Sequence, residues 1–208
     1  MNRKQIYFLD KTIYFFSDEK NFMYLNEDLF FISKSENSKK MWDDFKLFMQ
    51  QNDYSQLVFF GKKYKKHFSS FMQQFVMITA AGGLIKNELN EYLFIFRNGK
   101  WDLPKGKIEP NEQIKQAAVR ECKEECGIHE IKTGRKFSET YHMYELEQKI
   151  IFKITHWYHL RVSSEVRLVP QAEEGIEAIR WFKISELAEV KKNTYPNILD
   201  LITEAGIS

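Results

Sequence analysis

The sequence predicts an α/β protein, and three stretches carry that prediction. Tyr92–Arg97 is an apolar run closed by the turn dipeptide Asn98–Gly99, as expected of a strand that enters a hairpin. Gly106–Ile128 contains apolar residues at three- and four-residue spacing and ends at Gly127, the pattern of one amphipathic helix with its terminator. In Lys149–Val162, Ile151, Lys153, Thr155, Trp157 and His159 alternate with Phe152, Ile154, His156 and Tyr158. Both faces of that strand are partly apolar, which suits a sheet covered on each side.

Taken in order, residues 1–70 are expected to form a small α/β extension, and residues 71–208 the main domain. Gln5–Phe16 and Phe22–Ile32 read as strands, with polar breaks at Ser17–Asn21 and Ser33–Ser38. Met41, Trp42, Phe45, Phe48 and Met49 fall at helical spacing. Leu57–Phe60 is a short apolar strand stopped by Gly61, and Lys62–Lys66 (KKYKK) is a basic run read as a solvated linker. The extension is left three roles: shaping the active site, making a homodimer contact, or covering one sheet face.

In the main domain Val76–Ile78 and Ala80–Ile85 are apolar. Gly82–Gly83 inside that strand imply close approach of another backbone or of a ligand. Glu139–Tyr144 is expected to pair with Lys149–Val162, whose histidines lack metal-ligand spacing. Ala178–Phe182 is a further strand. Ser185 is a candidate cap for a helix over Glu186–Val190, and Thr194–Tyr195–Pro196 opens a last helix through Ile198, Leu201 and Ile202.

Composition bounds the partners. A net charge of +2 on 208 residues sets up no global field that demands nucleic acid or membrane. No apolar run approaches the roughly 20 residues of a membrane-crossing helix. The start MNRKQIYFLDKTIYFF is broken by charges and lacks a small-residue cleavage site, so no signal peptide is expected. Cys122 and Cys126 lie one turn apart without a CxxC pattern, which suits reduced thiols in a cytoplasmic protein. Aromatic residues make up 15% of the chain, enough to build a substantial core.

The chemistry concentrates in GKIEPNEQIKQAAVRECKEECGI, Gly106–Ile128. Asn111 is placed to cap a helix whose first turn carries Glu112, where the helix dipole favours an acid. At about 100° per residue, Ile114, Ala117, Ala118 and Cys122 share one face. Glu121 and Glu125 fall on that same face, four residues apart, with Glu124 at its edge. Two carboxylates on an apolar stripe are costly unless something neutralises them, and a divalent cation with oxygen ligands does so. Arg120, one turn before Glu124, can hold that carboxylate in place.

This stretch resembles the signature of the Nudix family, enzymes that cleave nucleoside diphosphates linked to another moiety. Gly106, Glu112, Arg120, Glu121, Glu124, Glu125 and Gly127 fill its charged and glycine positions; Cys122 stands where an aliphatic residue is usual. At about 7% for each of these fixed residues, a chance match is on the order of one in a hundred million. Trp101–Lys107 (WDLPKGK) is similar to the approach segment of members that act on nucleoside and dinucleoside polyphosphates, and Ala178–Phe182 resembles the last core strand.

The resemblance implies an α/β/α sandwich with a mixed sheet, and metal-dependent hydrolysis of a pyrophosphate bond. It implies magnesium, with manganese as substitute, held by Glu121, Glu125, Glu124 and the backbone carbonyl of Lys105. It makes Glu121, Glu124 and Arg120 catalytic, adds Glu174 or Glu177 as an outer glutamate, and gives Lys105, Lys107 and Arg97 to the substrate. The expected partner is a small nucleotide. Two rival readings stand beside it: a catalytically silent Nudix nucleotide sensor, and an RNA 5′-pyrophosphohydrolase.

Overall fold

A computed structural model describes residues 3–18, 30–34 and 37–207. The chain divides into two compact units, one of residues 1–78 and 141–153, the other of residues 79–140 and 154–208.

The first unit opens with a hairpin of β1 (Arg3–Phe8) and β2 (Lys11–Phe16). A single strand was expected over Gln5–Phe16. The chain instead reverses at Leu9, whose φ of 55° makes the tight turn. Parallel strands β3 (Phe30–Ser33) and β4 (Gln56–Phe60) follow outward from β2. The strand expected over Phe22–Ile32 lies mostly outside the described residues. Helix α1 (Ser38–Gln50) is capped by Asn37, whose side chain accepts the N–H groups of Lys39 and Lys40. Helix α2 (Tyr64–Met72) starts inside the basic run that was expected to be a linker, because Tyr64, His67, Phe68 and Phe71 give it a buried face.

Ile13 and Phe15 on one face of β2 are fully buried, and so is Phe16 on the other. Phe15 contacts Phe59, Phe68 and Phe71 at ring-centroid distances of 4.9, 5.4 and 5.5 Å. The outer strand of this unit comes from residues 141–153: Ile6, Tyr7 and Phe8 pair in parallel with Tyr141, His142 and Met143. Phe68 meets Tyr141 at 4.8 Å and Phe152 at 6.1 Å.

Those paired residues belong to the long hairpin β9 (Lys132–Leu146) and β10 (Lys149–Arg161), which continues into the second unit. There it joins β5 (Val76–Lys86), β6 (Tyr92–Arg97) and β11 (Ile176–Phe182), with β7 (Lys100–Asp102) on β6 and β8 (Lys105–Lys107) on β5. The turn after β6 has Asn98 at φ 53° and Gly99 at 72°, as its dipeptide foretold. Alternation along β6 shows both faces in use. Leu93 and Ile95 pack with α3 (Ile114–Cys126), while Tyr92 and Phe94 pack with α4 (Leu187–Lys192) and α5 (Pro196–Glu204). This is the expected α/β/α sandwich. Burying a side chain such as Phe94 or Leu93 contributes about 2 kcal/mol.

Gly82 serves close approach of another backbone, as expected: a Cβ there would lie 2.5 Å from the Pro104 carbonyl oxygen. At Gly83 the close neighbours are side chains instead, with a Cβ 2.9 Å from the Cys122 sulfur. Ser185 does not cap the helix after β11. One turn of 3-10 helix, Ile184–Glu186, comes first, and the Glu186 carboxylate accepts the Lys183 N–H at 2.8 Å.

Candidate active site

Helix α3 is shorter at its start than expected. Asn111 takes φ 64° in a tight turn, closed when Glu112 N–H donates to the Glu109 carbonyl at 3.1 Å. Asparagine tolerates that conformation, and the cap passes to Gln113. Ile114 is consequently 36% exposed rather than buried, and Ala117, Ala118, Cys122 and Cys126 make the apolar face. Gly127, at φ 67°, ends the helix as expected.

Glu112, set just before the helix, becomes a partner that sequence spacing did not reveal. Arg120 Nε and Nη2 donate to its two carboxylate oxygens at 2.8 and 2.9 Å, a bidentate pair. The same guanidinium donates to Glu121 at 2.8 Å, to Glu124 at 2.9 Å and to the Lys107 carbonyl at 3.0 Å. Arg120 therefore ties the preceding turn, the helix and β8 together. Hydrogen bonds from Arg120 hold the Glu112 carboxyl below its ordinary range, and those from Glu112 lead in raising the guanidinium further above its own.

Glu125 is 2% exposed. One carboxylate oxygen accepts the Lys105 backbone N–H at 2.9 Å, and the other faces Arg97 at 3.3 Å. Burial pushes its pKa up to about 7, against the opposing attraction of Lys105 and Arg97. Glu121 is also pushed up by burial, with Arg120 opposing. Arg97 reaches further, to Glu174 at 3.7 Å, so it links the helix carboxylate to the 3-10 turn Ala172–Glu174. Glu177 sits exposed at a bulge where β11 shifts register against β6, and Arg97 pairs there with Ile176. Of the two candidate outer glutamates, Glu174 is therefore the one that reaches Arg97.

The Lys105 ammonium is engaged by Asp102 at 2.5 Å and by the Leu103 carbonyl at 3.3 Å, while Lys107 is exposed. Asp102, 6% exposed, is a site residue that sequence reasoning missed. Its signal was available as an acid three residues before a lysine, across a proline. Glu121, Glu124, Glu125 and the Lys105 carbonyl offer only oxygen donors, the chemistry a hard divalent cation takes. Among the described residues no three His, Cys, Asp or Glu side chains converge as a ready metal group. The fit lies at β8, where a Cβ on Gly106 would overlap the Glu121 carboxylate: glycine lets the β8 backbone come up against the acid.

The family model described as NUDIX domain matches residues 77–202, more than half of the chain. A protein named RNA pyrophosphohydrolase, from Novosphingobium aromaticivorans, is 27% identical over 117 residues, covering 48% of this chain and 73% of its own. An Ap4A hydrolase structure from C. elegans is 21% identical with a TM-score of 0.49, over 62% of this chain and 95% of its own. A MutT protein structure from Methanosarcina mazei Go1 is 26% identical with a TM-score of 0.47, over 61% and 91%.

Proposed function

The chain belongs to the NUDIX family and is a pyrophosphohydrolase, and from that premise we propose that it cleaves a pyrophosphate bond in a nucleoside or dinucleoside polyphosphate with a divalent cation. The observation that carries this reading is the carboxylate row Glu121, Glu124 and Glu125 beside β8: Arg120 holds the first two and bonds the Lys107 carbonyl, and the Lys105 backbone N–H holds the third.

Glu121, Glu125 and Glu124 would hold magnesium or manganese together with the Lys105 carbonyl. When bound, such a cation neutralises phosphate charge and lowers the pKa of a coordinated water. The chain's own residues do the rest. Arg120 fixes the directions of Glu121 and Glu124 while leaving each an oxygen for another partner. Arg97 and Lys107 supply the positive charge that a phosphate chain requires. Glu174, beside Arg97 and 54% exposed, is placed to accept the proton of the attacking water. Buried, free Cys122 and Cys126 suit a reducing, cytoplasmic setting. We assign hydrolysis to residues 71–208 and treat residues 1–70 as an extension.

A second reading, removal of pyrophosphate from an RNA 5′ end, is favoured by the name of the Novosphingobium aromaticivorans relative. The test is a product screen by mass over dinucleoside polyphosphates, nucleoside diphosphate derivatives and 5′-triphosphorylated RNA. Turnover should vanish in excess chelator and return with magnesium or manganese. Full turnover in chelator would sink the metal mechanism. Binding without any product would favour the silent sensor.

A further inference from the structure

The second unit holds a cavity of about 840 Å³ that shares no residue with the carboxylate cluster. Its walls come from the ends of β5 and β10, the end of α3 and the loop after β10. Lys86, Lys132, Arg161 and Arg167 all line it. Among the described residues no acid is within ion-pair distance of Lys132, Arg161 or Arg167, and the Lys86 ammonium lies 5.4 Å from the centre of the Tyr92 ring. Glu88 and Glu130 also line the cavity, but the Glu88 carboxylate is occupied: it accepts the Ser164 N–H at 3.0 Å and its hydroxyl at 2.6 Å.

Those Glu88 bonds pin the loop to the turn after β5. Val169 N–H donates to the Cys126 carbonyl at 3.0 Å and pins the other end of the loop to α3. Gly127 lets the two surfaces meet, since a Cβ there would stand 2.7 Å from the Val169 Cβ. The cleft is therefore a built concavity with fixed walls. Its volume is in the range that ligand sites of about 300–1,000 Å³ occupy. Val162, Val166 and Val169 give it an apolar side.

Unpaired cations crowded around a concavity repel one another, and a polyvalent anion removes that cost. The field is felt nearby: burial and then the charges of Arg135, Arg161 and Lys86 push the His159 pKa down. Arginine forks suit phosphate oxygens bidentately. We propose that this cleft is a second ligand site, separate from the hydrolytic centre, that binds a small molecule through its phosphate chain on Arg161, Arg167 and Lys132.

Titration calorimetry with sodium tripolyphosphate, on the full chain in excess chelator at low salt, tests this. A single site with a dissociation constant below about 1 mM is expected. Arg161→Gln/Arg167→Gln should weaken it by about tenfold or more, and each single substitution by a smaller factor. Arg97→Gln, in the carboxylate cluster, should leave it within about twofold, because Arg97 does not line the cleft. Both cleft arginines are exposed, so the melting temperature of the double variant should match the parent. Unchanged affinity in that variant, loss of binding in Arg97→Gln instead, or no binding up to millimolar ligand would each overturn the proposal.

Discussion

Glu125 keeps its proton in the folded chain up to about pH 7, against 4.5 when exposed. The folded state thus binds this proton more tightly, and protonation favours folding. The contribution is full below pH 4.5 and is lost as pH rises through about 7, a change of about 3 kcal/mol. Metal-free protein should therefore lose more melting temperature between these pH values than the Glu125→Gln variant, by roughly 2–4 °C per kcal/mol. Equal slopes in parent and variant would show that Glu125 ionises freely. The outer glutamate is a second matter of single residues. Since Arg97 connects to Glu174, Glu174→Gln should slow single-turnover chemistry by about a hundredfold or more. Glu177→Gln, at the bulge, should stay within about threefold of the parent, because it removes no contact to the cluster. If only Glu177→Gln is slow, the base lies on the strand.

At the scale of elements, two glycines separate catalysis from packing. Gly106 in β8 faces the Glu121 carboxylate, and Gly83 in β5 faces Leu160 and the Cys122 sulfur. Gly106→Ala should abolish most hydrolysis at a modest stability cost of about 1 kcal/mol, since the acid alone must move. Gly83→Ala overpacks the core and should cost about 1–3 kcal/mol, read by denaturant melts. The reverse pattern would place the site elsewhere. Much of this was legible in the sequence, because α3 and its acids obey a helical period and Gly127 is a strong stop. The partnership of Arg120 with Glu112 was not legible, as Glu112 lies outside that period, in a turn that spacing alone does not bend back. The β1–β2 reversal was hidden for a similar reason: Leu9 carries no turn signature, and only cross-strand pairing exposes it.

At the scale of the molecule, the hairpin β9–β10 belongs to both units. A chain starting at residue 71 keeps Tyr141, Met143 and Phe152 but loses Phe68 and β1, their partners. It should therefore bind apolar dyes and self-associate, and polar replacements at Tyr141 and Phe152 should restore a monomer that still hydrolyses substrate. A monomer with no dye binding and no replacements would show that residues 1–70 cover nothing essential. The shared hairpin also sets an order of events during synthesis. Residues 1–78 leave the ribosome first, yet their unit is closed by residues 141–153. At about 5–20 residues per second, the nascent chain waits roughly 4–15 s with β1 lacking its neighbour. A bare strand edge templates pairing with other chains, so holding factors that act during translation should matter more for this protein than its finished stability would suggest.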